Sequence, residues 1–278
     1  MSRPDHSLQV VRAARGAARR VVSMGVIWLA ALLGCAQVAA AAAPSAQVVA
    51  QEAEAALQAE TAEVARLWGF SRGKAPLSAA VMGPAPAGLP DALSGAAACE
   101  DCHVKEAAEW RTSGHRQSWT RPLFQRAYAL EPMAECRNCH QPLTAERPAR
   151  DRATRALRDE GVTCAVCHVR AGQVLAATRS GRAPHPVREA RLLSSAAFCG
   201  GCHQFPFPEH RQDGEVVFTN EPMQDTLEEW RRQRDHGAGA RTCQDCHMPQ
   251  VGARRSHAFA GGYDGALLQS AVAVSAAL

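Results

Sequence analysis

Five times the chain repeats two cysteines, two spacers apart, with a histidine directly behind the second. The copies are Cys99 to His103, Cys136 to His140, Cys164 to His168, Cys199 to His203 and Cys243 to His247. Ten of the 11 cysteines stand in them: Cys99, Cys102, Cys136, Cys139, Cys164, Cys167, Cys199, Cys202, Cys243 and Cys246. Cys-x-x-Cys-His is the attachment signature of c-type haem. Each thiol adds across a haem vinyl group as a thioether, and the histidine behind them becomes the proximal iron ligand. A zinc knuckle needs four ligands per metal and no histidine after every second cysteine. A thioredoxin-type pair needs a low-pKa thiolate at a helix start within alternating strands and helices, and no such alternation is legible here. Five covalent haem c groups are therefore the expected cofactors, with His103, His140, His168, His203 and His247 as proximal ligands.

Each such iron has room for one more axial ligand. Of the 11 histidines, His6 lies near the N-terminus and five are proximal, which leaves His115, His185, His210, His236 and His257. The count permits bis-histidine ligation of all five irons. It does not require it, since a lone histidine can equally be a surface or capping residue. If residues 103–115 are helical, His115 lies ~18 Å along the axis from His103. That reach suits a neighbouring iron and not its own. His210 follows His203 by only seven residues across Pro206 and Pro208. It is the first candidate for a histidine that does not ligate, which would leave one iron five-coordinate.

The elements that must hold these groups are short. Residues 96–264 contain every motif, roughly one haem per 34 residues. The segment is polar, and a chain of that size buries a poor core by itself. The expected fold is mostly α with extensive irregular coil, wrapped around packed covalent haems, with little or no sheet. Helices are expected after the first motif, in VKEAAEW, and before the fifth, in TLEEWRRQRDH. Upstream, residues 44–70 are rich in Ala, Glu and Gln. Val48, Val49, Ala56, Leu57, Val64 and Leu67 recur at helical spacing, giving a narrow apolar stripe. This helix reads as a spacer or docking arm beside a membrane. Residues 71–95 carry prolines and glycines and read as a linker. The tail from 265 to 278 is small and apolar, with no role assigned.

Covalent haem implies export. Residues 1–20 hold Arg3, Arg12, Arg15, Arg19 and Arg20 against Asp5, followed by the uncharged run VVSMGVIWLAALLG. A basic region before an apolar one of this length reads as a secretory signal within residues 1–43. Three outcomes stay open: cleavage at the small residues around Ala41, lipidation of Cys35 in LLGC, or retention as a membrane anchor. All three put the haem-bearing part outside the cytoplasm, in a periplasm or on the outer face of a bacterial membrane. The chain is +4 overall, and residues 1–34 alone contribute five Arg and one Asp. The remainder is near neutral, and no basic patch interleaved with aromatics points to nucleic acid.

The string CEDCHVKEAAEWRTSGHRQSW resembles the Cys-x-x-Cys-His…Trp-x-x-Ser-x-His motif of the cytochrome c554 group. That group is similar in haem packing to hydroxylamine oxidoreductase and pentahaem nitrite reductase. GVTCAVCH, FCGGCHQF, and TCQDCHMP followed by SHAFAGG look like the same broad set. The resemblance implies a mostly helical multihaem fold with closely packed haem pairs, His103 proximal, His115 distal and Trp110 near a haem. It favours an electron carrier working between other redox proteins, such as a quinol-linked membrane cytochrome and a terminal reductase. The alternative is an oxidoreductase acting on a small nitrogen or sulfur oxyanion at one five-coordinate haem. Nitrite reductases of that kind usually carry a Cys-x-x-Cys-Lys at the catalytic haem, and every motif here ends in histidine. The hydroxylamine oxidoreductase type needs more haems than five motifs supply.

Overall fold

The computed structural model describes residues 45–68, 95–144, 152–178, 183–235 and 241–271. The basic N-terminal segment with Cys35, most of the linker expected at 71–95, and His236 lie outside the described residues. Among the described residues, no helix is long and apolar enough to cross a membrane.

Each motif occupies a short helix or helical turn. The helices in chain order are α1 (Ala46–Trp68), α2 (Ala97–Glu100), α3 (Val104–Thr112), α4 (Pro122–Leu130), α5 (Ala134–His140), α6 (Arg152–Asp159), α7 (Cys164–His168), α8 (Ala196–His203), α9 (Thr226–Asp235), α10 (Cys243–His247) and α11 (Gly265–Ala271). The histidine of the last four motifs is the final residue of its helix, in α5, α7, α8 and α10. In the first motif the helical bonding of α2 runs on, with the His103 amide donating to the Cys99 carbonyl at 2.9 Å. Helical spacing explains the shared pattern. Residues i, i+3 and i+4 lie on one face, so both cysteines and the histidine point the same way. The helices expected after the first motif and before the fifth are α3 and α9.

Helices this short leave most of their end groups without internal partners. The chain supplies substitutes. Thr242 and Asp245 form a reciprocal capping box on α10, with the Thr242 amide donating to Asp245 Oδ2 at 2.8 Å. Ser195 Oγ accepts from the Phe198 amide at the start of α8. Gln204 Oε1 accepts from the amides of Leu227 and Glu228, both at 3.1 Å, at the start of α9. Arginines close the other ends. Arg170 donates to the Val166 carbonyl at 2.5 Å and also to those of Ala165 and Val169. Arg255 donates to the Gln244 carbonyl at 3.0 Å and to Asp245 Oδ1 at 2.8 Å. Replacing Thr242 with alanine removes one half of the capping box and should cost about 1 kcal/mol. Denaturant titration of the haem-loaded protein, followed by circular dichroism, measures it.

About half of the described chain is helical, and the sheets are small. β1 (Val169–Arg170), β2 (Gln173–Ala176) and β3 (Val187–Glu189) form one sheet in that order. β1 and β2 are antiparallel, with Val169 opposite Val174, and β2 and β3 run parallel. Ala171 and Gly172 turn between β1 and β2 with positive φ at both residues, the geometry of a tight hairpin. β4 (Gln204–His210) and β5 (Val216–Asp225) make a longer antiparallel hairpin, with Gln204 opposite Asp225 and His210 opposite Val216. Its register slips at Pro206 and Pro208, whose nitrogens carry no donor for the ladder. β6 (Gln250–Val251) and β7 (Arg254–Arg255) pair antiparallel behind the fifth motif. The expectation of little sheet fits roughly; the β4–β5 hairpin is the element it left out.

The core brings α1 into the motif-bearing part of the chain. Leu57, Val64 and Trp68 of α1 are buried with Val166 of α7, Leu175 of β2, Ala196 and Ala197 of α8, and Leu227 of α9. The stripe expected to serve a docking arm is thus largely used inside the protein. Val48 and Val49 of its first turn and Ala56 are exposed. The apolar length of that stripe was legible, but sequence could not show that the fourth motif's helix would cover it.

Candidate haem-binding site

The motifs come together in pairs through their thiols. The Cys99 and Cys164 thiols lie close enough to perturb each other, bringing the first motif beside the third. Cys139 and Cys202 join the second to the fourth, and Cys199 and Cys243 join the fourth to the fifth. Side-chain clamps reinforce two of these pairings. Glu160, four residues before Cys164, accepts from the Ala96 amide at 2.8 Å at the start of α2. Trp110 of α3 donates to the Val162 carbonyl at 2.8 Å. Gln244, a spacer inside the fifth motif, donates to the carbonyls of Leu193 and Ser195 at 2.9 and 2.8 Å, just before α8. Close approach needs a small residue inside the fourth motif: a Cβ on Gly200 would lie 2.6 Å from Leu227 Cδ2.

Four of the five motif histidines use Nδ1 for a hydrogen bond. His140 meets the Ser118 carbonyl at 2.7 Å, His168 the Leu175 carbonyl at 2.8 Å, and His247 the Ala260 carbonyl at 2.5 Å. His203 meets Gln224 Oε1 at 3.3 Å. An imidazole that donates from Nδ1 keeps its lone pair on Nε2, the tautomer a metal ligand requires. Burial lowers the pKa of His140, His168 and His203, so the neutral ring is favoured at neutral pH. Burial holds the Cys167 thiol up at about 11.

Two of the five further histidines face motif histidines. The His115 ring is 6.2 Å from that of His203, centre to centre, and the His257 ring is 6.2 Å from that of His168. Two imidazole nitrogens on one metal at ~2 Å each, with each ring centre ~1.2 Å behind its nitrogen, put the centres roughly 6.4 Å apart. The observed spacings are of that size, so the residues present could hold the group their motifs imply. Burial, then the facing His203, push His115 down to about 4. The His115 ring lies beside the histidine of the fourth motif, although α3 ends at Thr112 and residues 103–115 are not one helix.

The other two candidates among the described residues sit elsewhere. His210, at the end of β4, has Nε2 3.4 Å from Glu135 Oε2, beside the second motif. His185 has Nδ1 3.4 Å from the Pro186 carbonyl, and among the described residues its ring meets no motif histidine.

Three residues shape the site without a signal in the motif reading. Phe259 takes a positive φ of 49°, unusual for an aromatic residue. Its ring lies edge-on to His115 at 4.3 Å and to His257 at 5.9 Å, so one strained residue touches both facing histidines. Gly161, at φ +66°, lets the His115 loop lie against the start of the third motif. A Cβ there would be 2.7 Å from the His115 carbonyl, which accepts from the Val162 amide at 3.0 Å. Trp68, fully buried, donates to the Cys167 carbonyl at 3.1 Å. Around His140 an aromatic group forms from Phe124, stacked on its ring at 3.7 Å, with Trp119 and Tyr128 behind.

Residues 122–204, which hold the second, third and fourth motifs, match the family model of cytochrome c7 and related cytochrome c. The chain is similar to a penta-haem cytochrome c552 from Thermochromatium tepidum, known from a crystal structure, at 20% identity and a TM-score of 0.46. That alignment covers 62% of this chain and 58% of the other, so the chain spans less than two thirds of that protein. No curated protein matches. The family match supports haem c as the cofactor and a multihaem cytochrome with a role in electron transport.

Proposed function

We propose that the chain is an exported pentahaem c-type cytochrome of the cytochrome c554 and hydroxylamine oxidoreductase-like kind, carrying electrons between respiratory redox proteins. The observation that carries this reading is the pair of 6.2 Å histidine spacings, each joining a motif histidine to one distant in sequence. When bound, haem c supplies an iron that takes up and gives back one electron; with two imidazoles on it no position is free for a substrate. The chain's own residues do the holding. Cysteines on one helical face take the vinyl edges, and Nδ1 bonds fix the rings. His115 and His257 tie the fourth and third motifs to remote segments, while His185, His210 and His236 are the histidines available to the other three. The donor and acceptor in this reading are a quinol-linked membrane cytochrome and a terminal reductase. The N-terminal segment brings the protein to the periplasmic side, by cleavage, by lipid on Cys35 or as a retained anchor.

A second reading draws on His210. Its Nε2, the nitrogen an iron would need, contacts Glu135. If that contact persists in the haem-loaded protein, one iron lacks a histidine and could act on a small nitrogen or sulfur oxyanion. One experiment separates the two. The mature protein should weigh its polypeptide plus five haems, show only low-spin ferric signals, and bind no carbon monoxide when reduced. A carbon monoxide complex on one iron in five favours the second reading. A mass without haem overturns both.

A further inference from the structure

We infer that Glu109 is a positioning residue for His257, holding it against His168 from the helix that follows the first motif. Glu109 lies in α3, and its carboxylate is fully engaged by one distant segment. Oε1 accepts from Arg254 Nη2 at 2.7 Å, and Oε2 accepts from Arg254 Nη1 at 2.7 Å and from the His257 backbone amide at 2.8 Å. Arg254 Nε also lies 3.7 Å from Glu106 Oε1, one turn earlier on the same helix. The partners are 145 and 148 residues away in sequence.

The arrangement differs from an ordinary surface ion pair, which contributes little. The guanidinium and carboxylate meet fork to fork, a geometry that fixes direction as well as distance. The two side chains are only about a quarter exposed, 26% for Arg254 and 25% for Glu109. The third bond goes to the backbone of the histidine itself. Arg255, by contrast, ties the same segment back to the fifth motif through Asp245 and the Gln244 carbonyl. His257 therefore hangs between two anchors, and Glu109 is the one on the far side. Without it, the segment is held by the fifth motif, which is not the motif whose histidine His257 faces. Outer groups of this kind set the orientation of a metal ligand.

The inference rests on reading His168 and His257 as the two ligands of one iron, so its test includes that reading. The full-length haem-loaded protein is compared with His257→Ala, Glu109→Ala and Glu109→Gln, by spin-resonance of the oxidised form and carbon monoxide binding of the reduced form. His257→Ala should open one iron in five. Glu109→Ala should open the same iron in a fraction of molecules, with all five haems retained by mass and the low-spin signal restored by added imidazole. Glu109→Gln, equal in shape but uncharged, should fall between wild type and Glu109→Ala. If His257→Ala opens an iron and both Glu109 variants stay fully low-spin, the positioning role is wrong. If His257→Ala opens none, the pairing itself is wrong and the role of Glu109 falls with it. Should Glu109→Ala fail to mature, the near-isosteric glutamine variant decides alone.

Discussion

Replacing Trp68 with alanine should destabilise the haem-loaded protein by about 3–5 kcal/mol, the range for deleting a buried aromatic side chain. The residue ends α1 and is completely buried. Three contacts are lost at once. Its ring meets Phe198 edge-on at 5.1 Å, tying α1 to α8. The Arg170 guanidinium lies 5.6 Å from its centre. Its indole N–H satisfies the Cys167 carbonyl, which belongs to the third motif. Deletion leaves a cavity beside two short helices, α8 capped at its start by Ser195 and α7 closed at its end by Arg170, both held further by covalent bonds once loaded, so collapse into the gap is limited. Trp68→Phe keeps most of the ring and loses the indole bond, and should cost clearly less. Denaturant titrations of the two variants, followed by circular dichroism, give the comparison. If Trp68→Ala unfolded at the wild-type midpoint, α1 would be an accessory arm after all and the core assignment would be wrong.

That outcome bears on what the sequence could tell. The five motifs were legible because their chemistry is local: five residues fix two thioethers and one iron bond, and a helical turn puts them on one face. The helices at α3 and α9 were legible from composition and spacing. The role of α1 was not, because an apolar stripe states that something covers it without saying what. Leu57, Val64 and Trp68 meet residues about a hundred positions or more away. The β4–β5 hairpin had a local signal that helical expectations masked. Asp213-Gly214 sits between Phe205, Phe207 and the run Val216 to Phe218, and Gly214 takes the positive φ such turns favour. Phe259 had no signal at all, since nothing in its neighbours announces a positive φ. The partners of the distant histidines lay between these cases. The reading that sends His115 to a neighbouring motif assumes a helix running to residue 115; α3 ends at Thr112, and tertiary packing sets the ring beside His203.

His115→Ala should convert one iron in five from low-spin to high-spin and give a carbon monoxide complex of the same stoichiometry in the reduced protein. The affected haem should be the one on Cys199 and Cys202, because His115 faces His203. Two roles for His115 are in competition, and this variant separates them. As a half-buried aromatic against Phe259, the ring contributes packing, and its loss would lower stability while leaving every iron low-spin. As the second imidazole on an iron, its loss opens a coordination position whatever happens to stability. Added imidazole discriminates further: it can refill an opened position, restoring the low-spin signal and displacing carbon monoxide, but it cannot repair packing. The His168–His257 pair should be untouched, since the link between the two sites is Phe259, which stays. A fully low-spin His115→Ala protein with a lowered unfolding midpoint would assign the ring to the core and leave the His203 iron to another ligand.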